Sequence, residues 1–286
     1  MDKRRKITQF LITLLYNPHL NNFVSGRLHT GKTKGICVPG LNCYSCPAAG
    51  GSCPLGSLQQ TLGNLKKGIN TYVIGTVLLF AAVFGRFVCG WLCPFGLLQE
   101  LIHKIPVPKC MRRFMVLGWL KYVVLVVLVI LFPVVTYLQK GMGYPAFCKF
   151  ICPQGTIGGL FLIRASEILR DQAGLMFVIK LLILVGIVIS SAFVFRPFCR
   201  FMCPLGAIYG LFNRIAMIRI KFDKDTCVRC GTCKKACPMR LDPVKECNHA
   251  DCIRCGKCIS DCPSKALSFT PDIKHCAQKS YQSQKD

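Results

Sequence analysis

The stretch Cys227-Val-Arg-Cys-Gly-Thr-Cys-Lys-Lys-Ala-Cys-Pro238 recurs as Cys252-Ile-Arg-Cys-Gly-Lys-Cys-Ile-Ser-Asp-Cys-Pro263. Both copies have the spacing C-x2-C-x2-C-x3-C-P, which is the pattern of polypeptides that bind two [4Fe–4S] clusters. The first three cysteines of a copy wrap one cluster, and the fourth ligand comes from the other copy. The sequence therefore predicts two cubane sites close together near the C-terminal end of the chain.

The predicted ligands form two sets of four cysteines, and this part of the chain resembles the ferredoxin family. We call the first set the terminal site; it consists of Cys227, Cys230, Cys233 and Cys262. We call the second set the proximal site; it consists of Cys237, Cys252, Cys255 and Cys258. Zinc ribbons use separated C-x2-C pairs instead, so the spacing argues against zinc. We expect a small α+β two-[4Fe–4S] ferredoxin domain at 221–270 and a polar tail at 271–286. This scheme assigns Cys247, which falls between the two copies, to neither site, and we expect Cys110 and Cys276 to be free or structural.

The rest of the chain contains long apolar runs at 69–88, 115–138 and 174–195. Each run has the roughly 20 residues that a helix needs to cross a bilayer. The segment Tyr122–Phe132 is apolar on every face, which is typical of a membrane helix rather than an amphipathic one. A less regular run at 7–28 follows a basic N-terminus; it resembles a signal peptide, but no convincing cleavage site follows. We expect an all-α membrane domain with about four transmembrane helices.

The chain is strongly basic, with 37 Lys and Arg against 12 Asp and Glu, a formal charge of +25. On a soluble domain this charge would suggest nucleic acid. Here the basic residues flank the apolar runs, where they anchor helices and meet anionic lipid, so we expect a membrane and no nucleic acid. No general acid–base or nucleophile constellation is visible. The sequence indicates an electron-transfer component without an active site of its own for an organic substrate.

A second repeat, Cys-Pro-x-Gly, occurs four times beside the apolar runs. Its cysteines are Cys53, Cys93, Cys152 and Cys203, and a further cysteine lies four residues earlier in three copies, at Cys89, Cys148 and Cys199. A residue before proline avoids the helical region, and proline suits the first turn of a helix. Each second cysteine should therefore stand at a helix N-terminus, which favours a thiolate and an anionic cluster. The alternative is a simple turn with small buried cysteines.

The order of the runs predicts how these cysteines combine. If the basic N-terminus lies inside the cell, successive helices alternate sides, and the chain has two tandem halves at 1–110 and 111–220. An inner site would then consist of Cys89, Cys93, Cys199 and Cys203. An outer site would consist of Cys148 and Cys152 with two N-terminal cysteines, for which we expect Cys46 and Cys53, with Cys43 as the alternative. If the first helix does not span, the N-terminal cysteines move to the inside.

The sequences Phe87-Val-Cys-Gly-Trp-Leu-Cys-Pro-Phe-Gly96 and Arg196-Pro-Phe-Cys-Arg-Phe-Met-Cys-Pro-Leu-Gly206 resemble those of NapH/MauN/NosR-type membrane polyferredoxins. The resemblance covers nearly the whole chain. It implies that the inner-site cysteines are redox-site residues and that the ferredoxin domain faces the cytoplasm. It also implies quinol oxidation or electron transfer to extracytoplasmic flavin or haem partners. The chain adds a segment around Cys43 and Cys46 and the pair Cys148 and Cys152, and it lacks the flavin-binding domain of the longer members.

These expectations combine into an electron-transfer protein of the cytoplasmic membrane. Two [4Fe–4S] clusters in the ferredoxin domain and one or two iron–sulfur clusters in the membrane domain would relay electrons across the bilayer. The expected partners are a cytoplasmic donor such as ferredoxin, or quinol, and an extracytoplasmic flavoprotein or cytochrome. Two alternatives stay open at this point: a quinol dehydrogenase subunit acting on one membrane face, and a redox maturation factor for a partner metalloenzyme.

Overall fold

A computed structural model describes residues 2–64, 66, 68, 70–109, 117–165 and 174–271 of the chain. Cys110, Cys276 and the polar tail after Pro271 lie outside the described residues. The described chain is mainly helical, with one small antiparallel sheet near its C-terminal end. The helices of the first part are α1 (Asp2–Tyr16), α2 (Asn22–Ser25), α3 (Pro54–Leu62), α4 (Thr71–Phe84), α5 (Phe87–Trp91) and α6 (Pro94–Ile102).

The second part continues with two long apolar segments and further short helices. They are α7 (Leu120–Val124), a π-helical segment Leu125–Leu131, α8 (Phe132–Lys140), α9 (Ala146–Phe150), α10 (Pro153–Ala165), α11 (Leu175–Phe193), α12 (Pro197–Phe201) and α13 (Pro204–Leu211). The π-helical segment ends two residues before Pro133, which has no N–H to donate to the preceding turn.

Two of the described helices are long and apolar enough to cross a membrane. They are Leu117–Lys140, with 24 residues and a mean hydropathy of 2.4, and Leu175–Phe193, with 19 residues and a mean hydropathy of 2.6. Large apolar side chains on their surfaces are exposed, for example Ile130 and Leu182. Contiguous exposed apolar surface of this kind marks a contact with lipid or with another protein.

The other two expected spans differ from the prediction. Helix α1 has 15 residues and α4 has 14, so each is only about 22 Å long, against about 30 Å of hydrocarbon. Helix α1 ends before Asn17-Pro18, because proline disfavours a helical residue before it. Helix α4 ends at Gly85, whose φ of 51° breaks the helical path. The expected count of four transmembrane helices, and the two tandem repeats, are therefore not confirmed.

The predicted helix starts at the Cys-Pro-x-Gly motifs are confirmed. Helices α3, α6, α10 and α13 all begin at the proline of a motif. Cys53, Cys93 and Cys203 occupy the N-cap positions of α3, α6 and α13 in extended conformation. In this way the local rule for a residue before proline directs each cysteine to the mouth of a short helix.

The described residues 218–271, which we call the ferredoxin lobe, have the expected mixture of strand and helix. Strand β1 (Ile218–Phe222) pairs antiparallel with β2 (Leu267–Pro271), with Ile220 opposite Phe269. Helices α14 (Thr232–Ala236) and α15 (Lys257–Ser260) begin after glycines with left-handed φ, at Gly231 and Gly256. Buried Ile220 and Leu267 pack with two of the cysteines, Cys233 and Cys258.

The ferredoxin lobe packs directly on the helix that carries the first inner-site cysteine. Gly90 in α5 lies so close to the second ferredoxin loop that a Cβ atom there would collide with the Ile253 carbonyl oxygen. Trp91 Nε1 donates to the Arg254 carbonyl oxygen at 3.0 Å. The absence of a side chain at position 90 is therefore a condition for this contact.

We predict that Gly90→Ala weakens the attachment of the lobe by about 1–3 kcal/mol, because the added carbon overpacks the interface. Thermal unfolding and limited proteolysis of the purified protein would measure the loss. Gly75→Ala is a matched control in a helix, since no atom stands within 4 Å of the added carbon. Equal stability of the two variants would contradict the packing argument.

Candidate iron–sulfur sites

The four predicted ligands of the proximal site line one cavity. Its empty volume is ≈ 430 Å³, and its lining includes Cys237, Cys252, Cys255 and Cys258 together with apolar residues such as Ile220 and Met239. Burial raises the pKa of Cys252 to about 12, and the neighbouring Cys255 and Cys237 add to the rise. The structure thus brings together one cysteine of the first ferredoxin motif with three of the second.

The terminal site lies next to it and is more open to solvent. Cys230 is exposed, Cys227 and Cys262 are half-buried, and Cys233 is buried. Cys262 lies close enough to Cys233 to act on its pKa, and Cys233 in turn acts on the pKa of Cys258 in the proximal site. The two ferredoxin sites are therefore neighbours, with the terminal one facing outward.

The four predicted inner-site cysteines also line one cavity. Its empty volume is ≈ 290 Å³, and Cys89, Cys93, Cys199 and Cys203 share its wall with apolar residues such as Phe95 and Phe198. All four cysteines are buried. Phe95 and Phe198 meet edge to face, with ring centroids 5.2 Å apart. Cysteines from two distant segments of the chain thus meet in an apolar pocket.

Two arginines bind the backbone of this pocket in a reciprocal arrangement. Arg86 lies three residues before Cys89, and its Nη2 donates to the Cys199 carbonyl oxygen at 2.7 Å. Arg196 lies three residues before Cys199, and its Nη1 donates to the Cys89 carbonyl oxygen. Both side chains are completely buried. Each cysteine segment is therefore held by the arginine of the other.

Each arginine is paired with a buried carboxylate that a second cation shares. Arg196 binds Glu100, which also accepts from Arg5 Nη2 at 2.7 Å. Burial alone would raise the pKa of Glu100, but Arg196 and Arg5 outweigh it and leave this pKa below its ordinary value. Glu100 is therefore ionised at neutral pH, and it joins helices α1, α6 and α12.

The second arginine has an equivalent arrangement with the ferredoxin lobe. Arg86 Nη1 donates to Asp251 Oδ1 at 2.8 Å and to the Ala250 carbonyl oxygen at 3.1 Å. Asp251 also accepts from Lys121 at the start of the long apolar helix. The ion group of Arg86, Asp251 and Lys121 therefore connects the long apolar helix, the inner site and the proximal loop.

Two buried glutamines repeat the same contact at two places. Gln99 Nε2 donates to Cys199 Sγ at 3.1 Å, and Gln99 Oε1 accepts the Phe198 N–H at 3.1 Å. Gln59 has the same pattern: its Nε2 donates to Cys148 Sγ at 3.3 Å and its Oε1 accepts the Phe147 N–H at 3.0 Å. Each glutamine is the sixth residue after a Cys-Pro-x-Gly cysteine. The pattern gives the inner site and the region of Cys148 a common local design.

Cys148 belongs to a third group of thiols, in which the structure favours Cys43 over Cys46. Cys43, Cys53 and Cys148 lie close enough to Cys152 to add to the rise in its pKa that burial causes. A Cβ on Gly155 would stand 3.6 Å from Cys43 Sγ. Three of the four expected outer-site cysteines, Cys53, Cys148 and Cys152, therefore lie close together. Their fourth neighbour is Cys43, the residue expected as the alternative to Cys46.

Cys46 has a different environment. Its Sγ donates to Asn17 Oδ1 over 3.9 Å, and it packs with Ala48 and Ala49. Gly158 stands against its backbone, so close that a Cβ added to this glycine would lie 3.1 Å from Cys46 Cα. Cys43 packs against this cluster of buried residues as well, so it is a neighbour both of Cys46 and of the thiols around Cys152.

The donor sets fit iron–sulfur clusters. Each cavity combines its four expected cysteines with an apolar wall, and Cys247 is a fifth cysteine in the wall of the proximal cavity. The inner site adds N–H···S contacts from Gln99 and from the Gly206 backbone N–H, which lies 3.3 Å from Cys203 Sγ. Such contacts are among the means by which proteins stabilise and tune clusters. In the described part of the chain no three His, Cys, Asp or Glu side chains converge closely enough to hold a single metal ion. A cubane binds one cysteine at each of its four irons, so its ligands lie further apart than those of a single metal ion. The spacing of the four cysteines in each cavity matches this wider arrangement.

Several of these partners are not identified by sequence reasoning. Arg86 and Arg196 stand out in the sequence only as positive charge near the cysteines, whereas Gln59, Gln99 and Asp251 were missed. The glutamines could have been found, because both Cys53 and Cys93 begin the pattern C-P-x-G-x-L-Q. Asp251 carries no such signal, since its partner Arg86 lies 165 positions away.

The comparisons with known proteins agree with this donor chemistry. A family model described as "4Fe-4S binding domain" matches residues 51–71, 73–112, 122–165 and 177–224, together more than half of the chain. A second model, "4Fe-4S dicluster domain", matches residues 219–263. These matches define the class: an iron–sulfur protein with a two-cluster domain. No solved structure matches the chain.

Relatives identify the family. An uncharacterized protein of Methanocaldococcus jannaschii is 32% identical over 226 residues, which cover 76% of this chain and 83% of that protein. The ferredoxin-type protein NapH of Escherichia coli is 24% identical over a match that covers 76% of this chain and 71% of that protein. The methylamine utilization ferredoxin-type protein MauN of Methylobacillus flagellatus is 26% identical over a match that covers 59% of this chain and 54% of that protein. The chain belongs to the NapH/MauN/NosR-type polyferredoxin family of iron–sulfur electron-transport proteins.

The thiols of the metal-free protein should differ widely in reactivity. Burial raises the pKa of Cys199 to about 12 and that of Cys203 well above its ordinary value, whereas hydrogen bonds at Thr232 lower the pKa of exposed Cys230. Because the thiolate is the nucleophile, we predict that iodoacetamide at about pH 8 alkylates Cys230 well before Cys199 and Cys203. Peptide mapping by mass spectrometry would give the order, and uniform labelling in the folded protein would contradict it.

Proposed function

We propose that this protein is a membrane-bound relay that passes electrons between ferredoxin-type sites and two sites in its helical part. The observation that supports it most is the contact between the proximal loop and the inner site. Ile253 and Arg254, next to proximal ligands Cys252 and Cys255, touch α5, which carries inner-site Cys89. The clusters would supply one-electron redox chemistry at each site.

The chain's own residues would fix the spacing of the sites and adjust their potentials. In this proposal Cys227, Cys230, Cys233 and Cys262 hold the terminal cluster, and Cys237, Cys252, Cys255 and Cys258 hold the proximal one. Cys89, Cys93, Cys199 and Cys203 hold the inner one, and Cys43, Cys53, Cys148 and Cys152 hold the outer one. The halves 1–110 and 111–220 each contribute to both helical sites, and 221–270 forms the ferredoxin domain.

The proposed location is the cytoplasmic membrane. Two long apolar helices with exposed apolar faces support contact with lipid, and the excess of basic residues supports contact with anionic headgroups. We further propose a multi-pass arrangement with the ferredoxin domain in the cytoplasm. Short helices such as α1 and α4 would then enter the membrane beside the longer ones.

The proposed donor is an acidic redox protein such as a ferredoxin, and the proposed acceptor is an extracytoplasmic flavoprotein or cytochrome. The terminal site offers the more exposed cysteines, and its surroundings are rich in exposed basic residues: Lys224, Arg229, Lys234, Lys235 and Lys265, with Asp223, Asp225 and Asp261 among them. A basic rim around an accessible redox site favours an acidic partner by electrostatic steering.

We predict about 16 iron atoms per chain in anaerobically purified protein, four for each of four cubane sites. Replacing Cys203 or Cys152 by Ser should remove about four of them, because each cubane needs its full thiolate set. Iron and acid-labile sulfide assays with EPR of the reduced protein would measure this. Cys37→Ser is the matched control, a buried cysteine in none of the four groups, and it should keep the full content. Only about eight irons in the native protein would disprove the helical sites.

We also predict that Arg196→Gln lowers the midpoint potential of the inner site, because a buried positive charge favours the more negative, reduced cluster. The shift should be on the order of 60 mV, which corresponds to about 1.4 kcal/mol for one electron. An EPR-monitored redox titration would measure it. Exposed Arg214 provides the control variant Arg214→Gln, and an equal shift in both would argue against a specific effect at the inner site.

The same variants separate the relay from its alternatives. Quinol oxidation on one membrane face would persist after Cys148 and Cys152 are replaced by Ser, whereas electron delivery to an acceptor on the far side would be lost. A maturation factor would give slow turnover and a change in the cofactor content of a partner enzyme.

A further inference from the structure

The inner and outer sites are joined by a short loop from the N-terminal part of the chain. The loop Pro39–Asn42 forms part of the inner cavity wall through Pro39, Gly40 and Leu41. At its far end, the Asn42 carbonyl oxygen accepts the backbone N–H of outer-site Cys53 at 2.7 Å. The loop therefore contacts one site and is hydrogen-bonded to a ligand residue of the other.

Gly40 makes the contact with the inner site. A Cβ at this position would lie 3.2 Å from Cys93 Cα, 3.2 Å from Pro94 Cδ and 3.3 Å from the Leu92 carbonyl oxygen. These distances are tighter than ordinary van der Waals contact, so a side chain at position 40 would push the loop or Cys93 aside by a few tenths of an ångström. From Gly40, one buried residue, Leu41, leads to Asn42.

Tyr209 holds the loop in this position. Its hydroxyl donates to the Pro39 carbonyl oxygen at 3.0 Å, and its side chain is completely buried. Cys89 and Cys93 of the inner site and Cys53 of the outer site are all close enough to add to the rise in its pKa that burial causes. Tyr209 is also part of the wall of the inner cavity.

We infer that the loop Pro39–Asn42, positioned by Tyr209, is the electron path between the inner and outer sites. The path runs from Cys93 across the Gly40 contact, along the backbone to Asn42, and through the hydrogen bond to Cys53. Clusters held by the inner-site and outer-site cysteines would supply the one-electron chemistry, and a single electron would pass from the first to the second with no bond made or broken. The inference rests on the proposed function, and Tyr209 is a positioning residue in it.

The experiment uses the full-length protein in detergent under anaerobic conditions. A sub-stoichiometric pulse of a reduced small ferredoxin, a protein too large to enter the helical part, supplies the electron. Freeze-quench EPR follows the appearance of the inner-site and outer-site signals, which Cys203→Ser and Cys152→Ser assign. In the native protein the outer signal should follow the inner one without delay.

Two variants test the path. Gly40→Val forces the loop away from Cys93, and Tyr209→Phe keeps the ring but removes the hydroxyl that holds Pro39. In both we expect the inner signal to accumulate and the outer signal to lag several-fold, with iron content unchanged. Gly35→Val and Tyr144→Phe are the controls, since a Cβ at position 35 has no atom within 4 Å and Tyr144 is exposed. Both controls should behave as the native protein.

The outcomes separate this inference from the proposed function. Native timing of the outer signal in loaded Gly40→Val and Tyr209→Phe would overturn the loop path while leaving the relay intact. If Gly40→Val loses iron, its outer-site signal no longer reports the timing of electron transfer. The timing in Tyr209→Phe then decides whether the loop is the path. Absence of any outer-site signal in the native protein would instead count against the proposed function itself.

Discussion

The reciprocal hydrogen bonds of Arg86 and Arg196 are the constraint on which the rest of the arrangement depends. Each buried guanidinium binds the cysteine backbone of the opposite segment, so neither segment has its final geometry without the other. A buried charge is tolerated only when it is paired, and Glu100 and Asp251 supply the pairs. Removing one member of such a pair typically costs about 3–5 kcal/mol, because the other is left uncompensated. The cation that holds a cysteine segment therefore also determines where the neighbouring helices and the ferredoxin lobe pack.

The common design of the helical sites is combined with a clear electrostatic difference. Gln59 and Gln99 make the same contacts at the two places, but the inner site has two fully buried arginines, whereas the cations that act on Cys43 in the outer group are Lys180 and Lys34. Positive charge close to a cluster favours its reduced form. The same local frame can therefore hold two centres of different potential.

Much of this architecture was predictable from short-range rules. The cysteine spacing indicated the ferredoxin lobe, and the residue-before-proline rule predicted the helix starts after Cys53, Cys93 and Cys203. The position of Cys43 beside Cys152 was not predictable, because it depends on how the turn that contains Cys43 and Cys46 packs against Gly155 and Gly158. The lengths of α1 and α4 were overestimated, because hydropathy does not register a break at Gly85 or at Asn17-Pro18. Long-range ion pairs such as Arg86–Asp251 leave no local pattern.

The contact between Arg86 and the loop at Asp251 also bears on the order of biosynthesis. A ribosome makes position 86 long before position 251, whereas the residues that line the inner cavity lie between Pro39 and Tyr209. Until the ferredoxin loop emerges, the buried guanidinium of Arg86, which binds the Cys199 carbonyl oxygen, lacks its carboxylate. The charge balance behind the inner cavity is therefore complete only after nearly the entire polypeptide has been made.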